Sequence, residues 1–160
     1  MREATLCLLV QGEPVEQVLL GFKKRGFGQG KFTGIGGKVE PGERVIAAAL
    51  RELGEEIGVA LSEAQLKPMG VITFHFPAKP AWDQKVHIFL VRNWESAPCE
   101  GDEMEPQWFQ RDMLPFAQMW QDASYWLPLI LANKSICATF IFNNDNETVQ
   151  DYRITVHSTG

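Results

Sequence analysis

The chain has 160 residues, a formal net charge of −5, and 45% hydrophobic and 22% charged residues. That profile fits one globular domain, 1–160, long enough to bury a core. The acidic balance argues against wrapping long nucleic acid on a basic face, but a small phosphorylated ligand is compatible, because a bound cation reverses the charge around it. The scattered Cys7, Cys99 and Cys137 form no C-x-x-C pair. They argue against zinc and disulfide frameworks and fit a reducing, cytoplasmic setting. No apolar run reaches membrane-spanning length.

In chain order, TLCLLV (5–10) and EQVLLGFKK (16–24), separated by QGEP, predict a first strand and a hairpin return. The stretch KKRGFGQGKFTGIGGK (23–38) is rich in glycine yet carries aromatics, so it reads as an ordered loop that brings backbone close to a ligand. ERVIAAALRELGEEIG (43–58) is the clearest helix. Ile46, Ala49, Leu50, Leu53 and Ile57 recur on one stripe, and Gly58 is placed to end it. LKPMGVITFHF (66–76), QKVHIFLVRNW (84–94) and EMEPQWFQ (103–110) read as strands. DASYWLPLILAN (122–133) predicts a second helix, capped by Asp122 or Ser124, with Pro128 in its first turn. ICATFIFNN (136–144) and VQDYRITV (149–156) read as a closing β pair around the turn-forming NDNET. Strands with two helices predict an α+β protein in three layers.

The first helix crowds Glu52, Glu55 and Glu56 into five residues. On a helical wheel Glu56 lies about 40° to one side of Glu52 and Glu55 about 60° to the other, so the three share a face, with the apolar stripe expected roughly opposite. Like charges at these spacings destabilise a helix, and Gly54 adds a cost of about 1 kcal/mol relative to Ala. By itself an E-x-x-E-E helix is most often a solvated acidic face. Here Gly36-Gly37-Lys38 precedes it at short range. A glycine loop facing carboxylates suits a hard divalent cation that bridges protein oxygens to phosphates.

Gly37, Glu43 and the run Arg51-Glu52-Leu53-Gly54-Glu55-Glu56-Ile57-Gly58-Val59 resemble the Nudix box, G-x5-E-x7-R-E-U-x-E-E-x-G-U with U aliphatic, at every specified position. The resemblance implies the Nudix fold, a mixed sheet sandwiched between helices. It also implies hydrolysis of a nucleoside diphosphate linked to another moiety, dependent on Mg²⁺, with Mn²⁺ as an alternative. By the same resemblance Glu52, Glu55, Glu56 and the Gly36 carbonyl are similar to the family's metal ligands. Glu43 and Arg51 are similar to the pair that braces the loop on the helix, and Lys38 meets a phosphate. Glu103, outside the box, is a further candidate for the metal site. Glu52, Glu56 and Glu103 all stay open as the base that takes a proton from water.

The segments VLLGFKKRGFGQGKFTGIGGKVEPGE and DEMEPQWFQRDMLPFAQMWQDASYWLPL resemble the MutT-like branch of the family that acts on oxidised purine nucleoside triphosphates. A purine pocket needs flat aromatic walls and hydrogen-bonding groups at the base edge. The resemblance assigns Trp120 and Asp122 to base recognition, and Phe27, Phe74 and Trp126 to the lining, with Phe76 and Tyr125 also available. Thr5, Lys23 and Thr33 complete the candidate substrate contacts. Two positions depart from the branch, which carries asparagine at position 33 and a second acid at position 123, where this chain has Thr33 and Ala123. A threonine offers one short hydroxyl, and a lone Asp122 has no neighbouring acid with which to share a proton. Base preference is therefore expected to be relaxed or shifted. FPAKPAWDQKV is about one residue longer than its counterpart, which alters the pocket mouth near Trp82 and Gln84. His75, His87 and His157 read as sheet or terminal residues rather than ligands.

The implied activity is conversion of oxidised purine triphosphates such as 8-oxo-dGTP to monophosphate and pyrophosphate, which would cleanse the nucleotide pool. Its rivals are a Nudix hydrolase for another modified nucleotide or a dinucleoside polyphosphate, and a non-catalytic nucleotide sensor. The expected partner is a small nucleotide, with neither long nucleic acid nor membrane.

Overall fold

Strict alternation along the long strands sends neighbouring side chains to opposite faces of a sheet, and both faces here are apolar. The computed structural model describes residues 1–158. The chain order is β1 (Arg2–Gln11), β2 (Gln17–Lys23), β3 (Phe32–Thr33), α1 (Val45–Ile57), β4 (Leu66–His75), β5 (Gln84–Val91), β6 (Met104–Gln110), α2 (Ala123–Leu131), β7 (Lys134–Phe142) and β8 (Val149–Ser158). The sheet runs β3-β2-β1-β5-β4-β7-β8, with β6 added to β2. Strands β1 and β5 are parallel, as are β4 and β7, and the other pairs are antiparallel. The sheet is therefore mixed, as expected.

On one face Cys7 and Leu9 of β1 and Phe89 and Val91 of β5 pack with Ala49, Leu53 and Ile57 of α1. On the other, Leu8, Val10, Ile88 and Leu90 pack with Trp126, Leu127 and Ile130 of α2. Each helix thus covers one face, giving the predicted three layers. The β1–β2 hairpin forms with Leu9 opposite Leu19. In β4 the register shifts between Pro68 and Gly70, and Pro68 is paired only with β5, since pairing with β7 begins at Gly70, so a residue lacking its N–H is tolerated. Gly70 has φ +140° there, and a Cβ would lie 1.9 Å from the Ile136 carbonyl oxygen.

Some boundaries differ. Strand β5 stops at Val91, and Trp94 instead stacks on Trp108 at 5.8 Å. Pro128 lies inside α2, not in its first turn. It leaves the Ser124 carbonyl without a helical partner, and both residues are exposed, so water can satisfy that oxygen. Neither proposed cap works as a cap. Ser124 Oγ donates back to the Gln121 carbonyl, and Asp122 makes no capping bond.

Leu53 is fully buried between α1 and the sheet. Leu53→Ala is expected to cost about 2–5 kcal/mol through lost burial and a residual cavity, read as a lower urea midpoint with an unchanged m-value.

Candidate active site

The glycine loop is pressed between β1 and α1. The Thr5 amide donates to the Gly37 carbonyl at 2.8 Å, and isolated bridges join Ala4 to Lys38 and Cys7 to Ile35. A Cβ on Gly36 would stand 1.8 Å from the Thr5 carbonyl oxygen, and one on Gly37 would stand 2.6 Å from Glu52 Oε1. Only glycines let the loop lie flat between strand and carboxylate. Gly58 closes α1 with φ +69°, as its position predicts.

Arg51 ties this assembly together. Its guanidinium donates to both Glu43 oxygens at 2.9 and 3.0 Å, to Glu52 Oε1 at 2.9 Å, to Glu55 Oε2 at 3.2 Å and to the Lys38 carbonyl at 2.9 Å. The forked geometry matches a carboxylate bidentately. Glu43 also accepts from the Glu40 amide, and the Arg51 hydrogen bonds with that amide hold its carboxyl down at about 2.

The three box carboxylates do not share one exposed face. Glu55 is exposed, whereas Glu52 and Glu56 are buried, at 9% and 7% exposure. The wheel explains why. Glu52 and Glu56 fall within about 20° of Val45 and Ala49, seven residues earlier, so they border the buried stripe rather than oppose it. Gly37 of the glycine loop covers Glu52 there. Glu103, at the start of the β6 segment, comes within 3.9 Å of Lys23 Nζ. Burial pushes Glu56 up to about 7. Lys23 pulls against this, while Glu52 and Glu103 push the same way.

Glu56 Oε2 is sealed from solvent with no hydrogen-bond partner. A carboxylate oxygen stranded beside two further acids is a poor structural element and a good cation ligand, and the donors here are all hard oxygens. The residues therefore fit a divalent cation. Among the described residues no three metal-type side chains are already gathered at coordinating distance.

The same cleft, of about 800 Å³, continues to an aromatic end. Phe27 stacks on Trp120 with centroids 5.2 Å apart and planes 21° apart. Trp82 meets Phe27 edge-on at 5.0 Å. Phe74, Thr33 and Gln84 also line it, and Thr33 makes no side-chain hydrogen bond with a described residue. Asp122 is buried at its base and accepts from Trp126 Nε1 at 2.7 Å. Burial pushes Asp122 up to about 6, against the pull of the Trp126 hydrogen bond. Burial thus moves Asp122 towards its protonated form, while Ala123 beside it supplies no acid to share that proton.

The NUDIX domain matches residues 1–130. The chain is 46% identical over 150 residues to the oxidized purine nucleoside triphosphate hydrolase of Mus musculus, covering 94% of this chain and 92% of the relative. It is 46% identical to the Danio rerio protein of the same name, covering 91% and 90%. The chain belongs to the Nudix family. A MutT protein from Bacillus halodurans has the same fold, with a TM-score of 0.77 at 21% identity over 96% of this chain and 97% of that one. A MutT Nudix hydrolase from Burkholderia pseudomallei aligns with a TM-score of 0.63 at 28% identity, covering 71% and 86%.

The Nudix box and the aromatic segment, far apart in sequence, thus line one cleft. Lys38 is exposed and engages Arg51 through its carbonyl. Thr5 is buried, and its hydroxyl, like its amide, is directed at the Gly37 carbonyl. Tyr125 lies away from the cleft, against Tyr152 at 4.5 Å. His75 and His87 are held by Asp83 and Glu3. Sequence reasoning missed Arg2, Met119 and Phe142 in the lining. The β5 alternation carries a further signal, because Gln84, already expected near the pocket mouth, stands on the same face as Val86 and Ile88, a polar residue in an apolar register.

Because the Glu43 value is depressed below about 4.3, its contribution to stability is fully present above that pH and is lost as pH falls through about 2. Glu43→Gln should therefore lower the urea midpoint at neutral pH and flatten its decline between about pH 4.5 and 2. Parallel midpoint curves for the two proteins would count against the pair.

Proposed function

We propose that this single Nudix domain hydrolyses oxidised purine nucleoside triphosphates, such as 8-oxo-dGTP, to monophosphate and pyrophosphate with Mg²⁺, or Mn²⁺ in its place. The observation that carries the proposal is the shared cleft, with box carboxylates at one end and a stacked aromatic pair with a buried acid at the other. The mouse and zebrafish relatives named for this activity support it at 46% identity. Removal of damaged precursors from the nucleotide pool in the cytoplasm is the role that follows. No helix is long and apolar enough to cross a membrane among the described residues.

In this reading Glu52, Glu56 and the Gly36 carbonyl hold the cation, with Glu55 and Glu103 joining from the open side. When bound, the cation neutralises phosphate charge and lowers the pKa of water. Arg51 and Glu43 hold the loop on the helix so that Glu52 keeps its place. Glu52, Glu56 or the more exposed Glu103 takes the proton of the attacking water. Lys23 and Lys38 meet phosphate oxygens. Phe27 and Trp120 part to stack on the base, with Phe74 and Trp126 behind them. Asp122 and Thr33 meet its edge, Asp122 as donor or acceptor according to its protonation.

The test is turnover of a panel of ordinary and oxidised nucleoside triphosphates with Mg²⁺, with products separated by chromatography. The expected result is preferential release of monophosphate and pyrophosphate from the oxidised purines. Glu56→Gln should reduce kcat about hundredfold or more while nucleotide binding persists. Equal turnover of plain and oxidised bases would move the assignment to another Nudix substrate. Binding without any turnover would make the protein a sensor.

A further inference from the structure

Among the described residues, five polar or charged side chains are buried: Thr5, Glu52, Glu56, Gln84 and Asp122. Four have a place in the reading above. Thr5 is directed at Gly37, Glu52 at Arg51, Asp122 at Trp126, and Glu56 faces the cation site. Gln84 has none. It begins β5, opposite Phe74 of β4 and beside Arg2 of β1. It is 8% exposed, and it lines the aromatic end of the cleft. Its one hydrogen bond to a described residue is a long donation from Nε2 to the Trp82 carbonyl, at 3.3 Å. Oε1 accepts from no described residue, yet it is not among the polar atoms sealed from solvent. Its oxygen and one N–H are thus unspent by the protein and open to the cleft, where a ligand can take them.

We propose that Gln84 is a specificity-determining residue that pairs its carboxamide with the lactam edge of an oxidised base. The inference rests on the functional reading above. Oxidation of a purine at C8 or C2 replaces a ring C–H by a carbonyl and places an N–H beside it. The new edge presents one acceptor next to one donor. A carboxamide presents the complementary pair, Oε1 to accept and Nε2 to donate, and two parallel bonds form without any charged group. At the carbon that is oxidised, C8 of guanine or C2 of adenine, the parent base has a C–H beside a ring nitrogen without its proton, so Oε1 loses its donor and the paired bonds cannot form there. Sites built around such polar groups reject substrates that cannot satisfy them. Gln84 also compensates for Thr33 and Ala123, the two positions with less hydrogen-bonding capacity than the resembling branch.

The experiment compares steady-state kcat/KM of wild type and Gln84→Met on 8-oxo-dGTP, dGTP, 2-oxo-dATP and dATP. Methionine keeps the length and burial of the side chain but removes both hydrogen-bonding groups. The preference for each oxidised nucleotide over its parent should fall about tenfold, mainly through KM. If Gln84 only supports the Trp82 loop, all four nucleotides change by one factor and the preferences stay intact, which overturns the proposal. If Gln84→Met does not fold, as judged by its melting temperature, Gln84→Leu provides the same comparison. A wild type without preference for oxidised purines defeats the functional reading separately. In that case Gln84 keeps its role only if the variant still changes the ratio of dGTP, which carries a lactam at N1 and C6, to dATP, which carries none. An unchanged ratio removes it.

Discussion

The close approach of Gly37 to the Glu52 carboxylate underlies the arrangement of the whole site. A backbone and an acid can lie this near only where no Cβ intervenes, and a Cβ would come within 2.6 Å of Oε1. Arg51 supplies the charge that makes the approach stable, with donors spread over three carboxylates and the Lys38 carbonyl. The loop, the start of α1 and the middle of α1 therefore behave as one rigid piece. β1 anchors that piece through the Thr5 amide. The sheet holds β1 beside β5, and β5 carries Gln84 and Val86 towards the base end of the same cleft. Phosphate chemistry and base recognition are thus joined through paired strands rather than through a flexible connection.

Electrostatics divides the cleft into two differently tuned acids. Glu56 is raised by burial and by its acidic neighbours, in a place where a cation would reverse the effect. Asp122 is raised by burial within an aromatic wall, with the Trp126 hydrogen bond pulling the other way. The same physical cause, loss of water, raises both carboxyls.

The strongly patterned parts of the chain were legible before the structure. Helix α1 shows its apolar stripe and its terminal glycine, and the hairpin shows two apolar runs around Gly and Pro. The box glutamates and Arg51 stand at spacings that carry the resemblance to the Nudix box, and that resemblance implies the chemistry. Less legible was the side of α1 on which Glu52 and Glu56 lie, because a wheel gives angles but not the loop that will cover Glu52. The Asp122 side chain was misread as a cap, since its position one residue before α2 fits that role locally while Trp126 takes its oxygen instead.

Local residue chemistry determined the elements, the acidic cluster and the glycine-rich loop before it. Those properties depend on neighbours within a turn or a short loop. Tertiary structure decided which carboxylates are buried, that Glu103 joins Glu52 and Glu56, and that Arg2, Gln84 and Phe142 share a wall with Trp120. Those outcomes depend on strand order. Parallel pairing of β1 with β5 and of β4 with β7 brings together residues separated by most of the chain, and no local pattern encodes that registration.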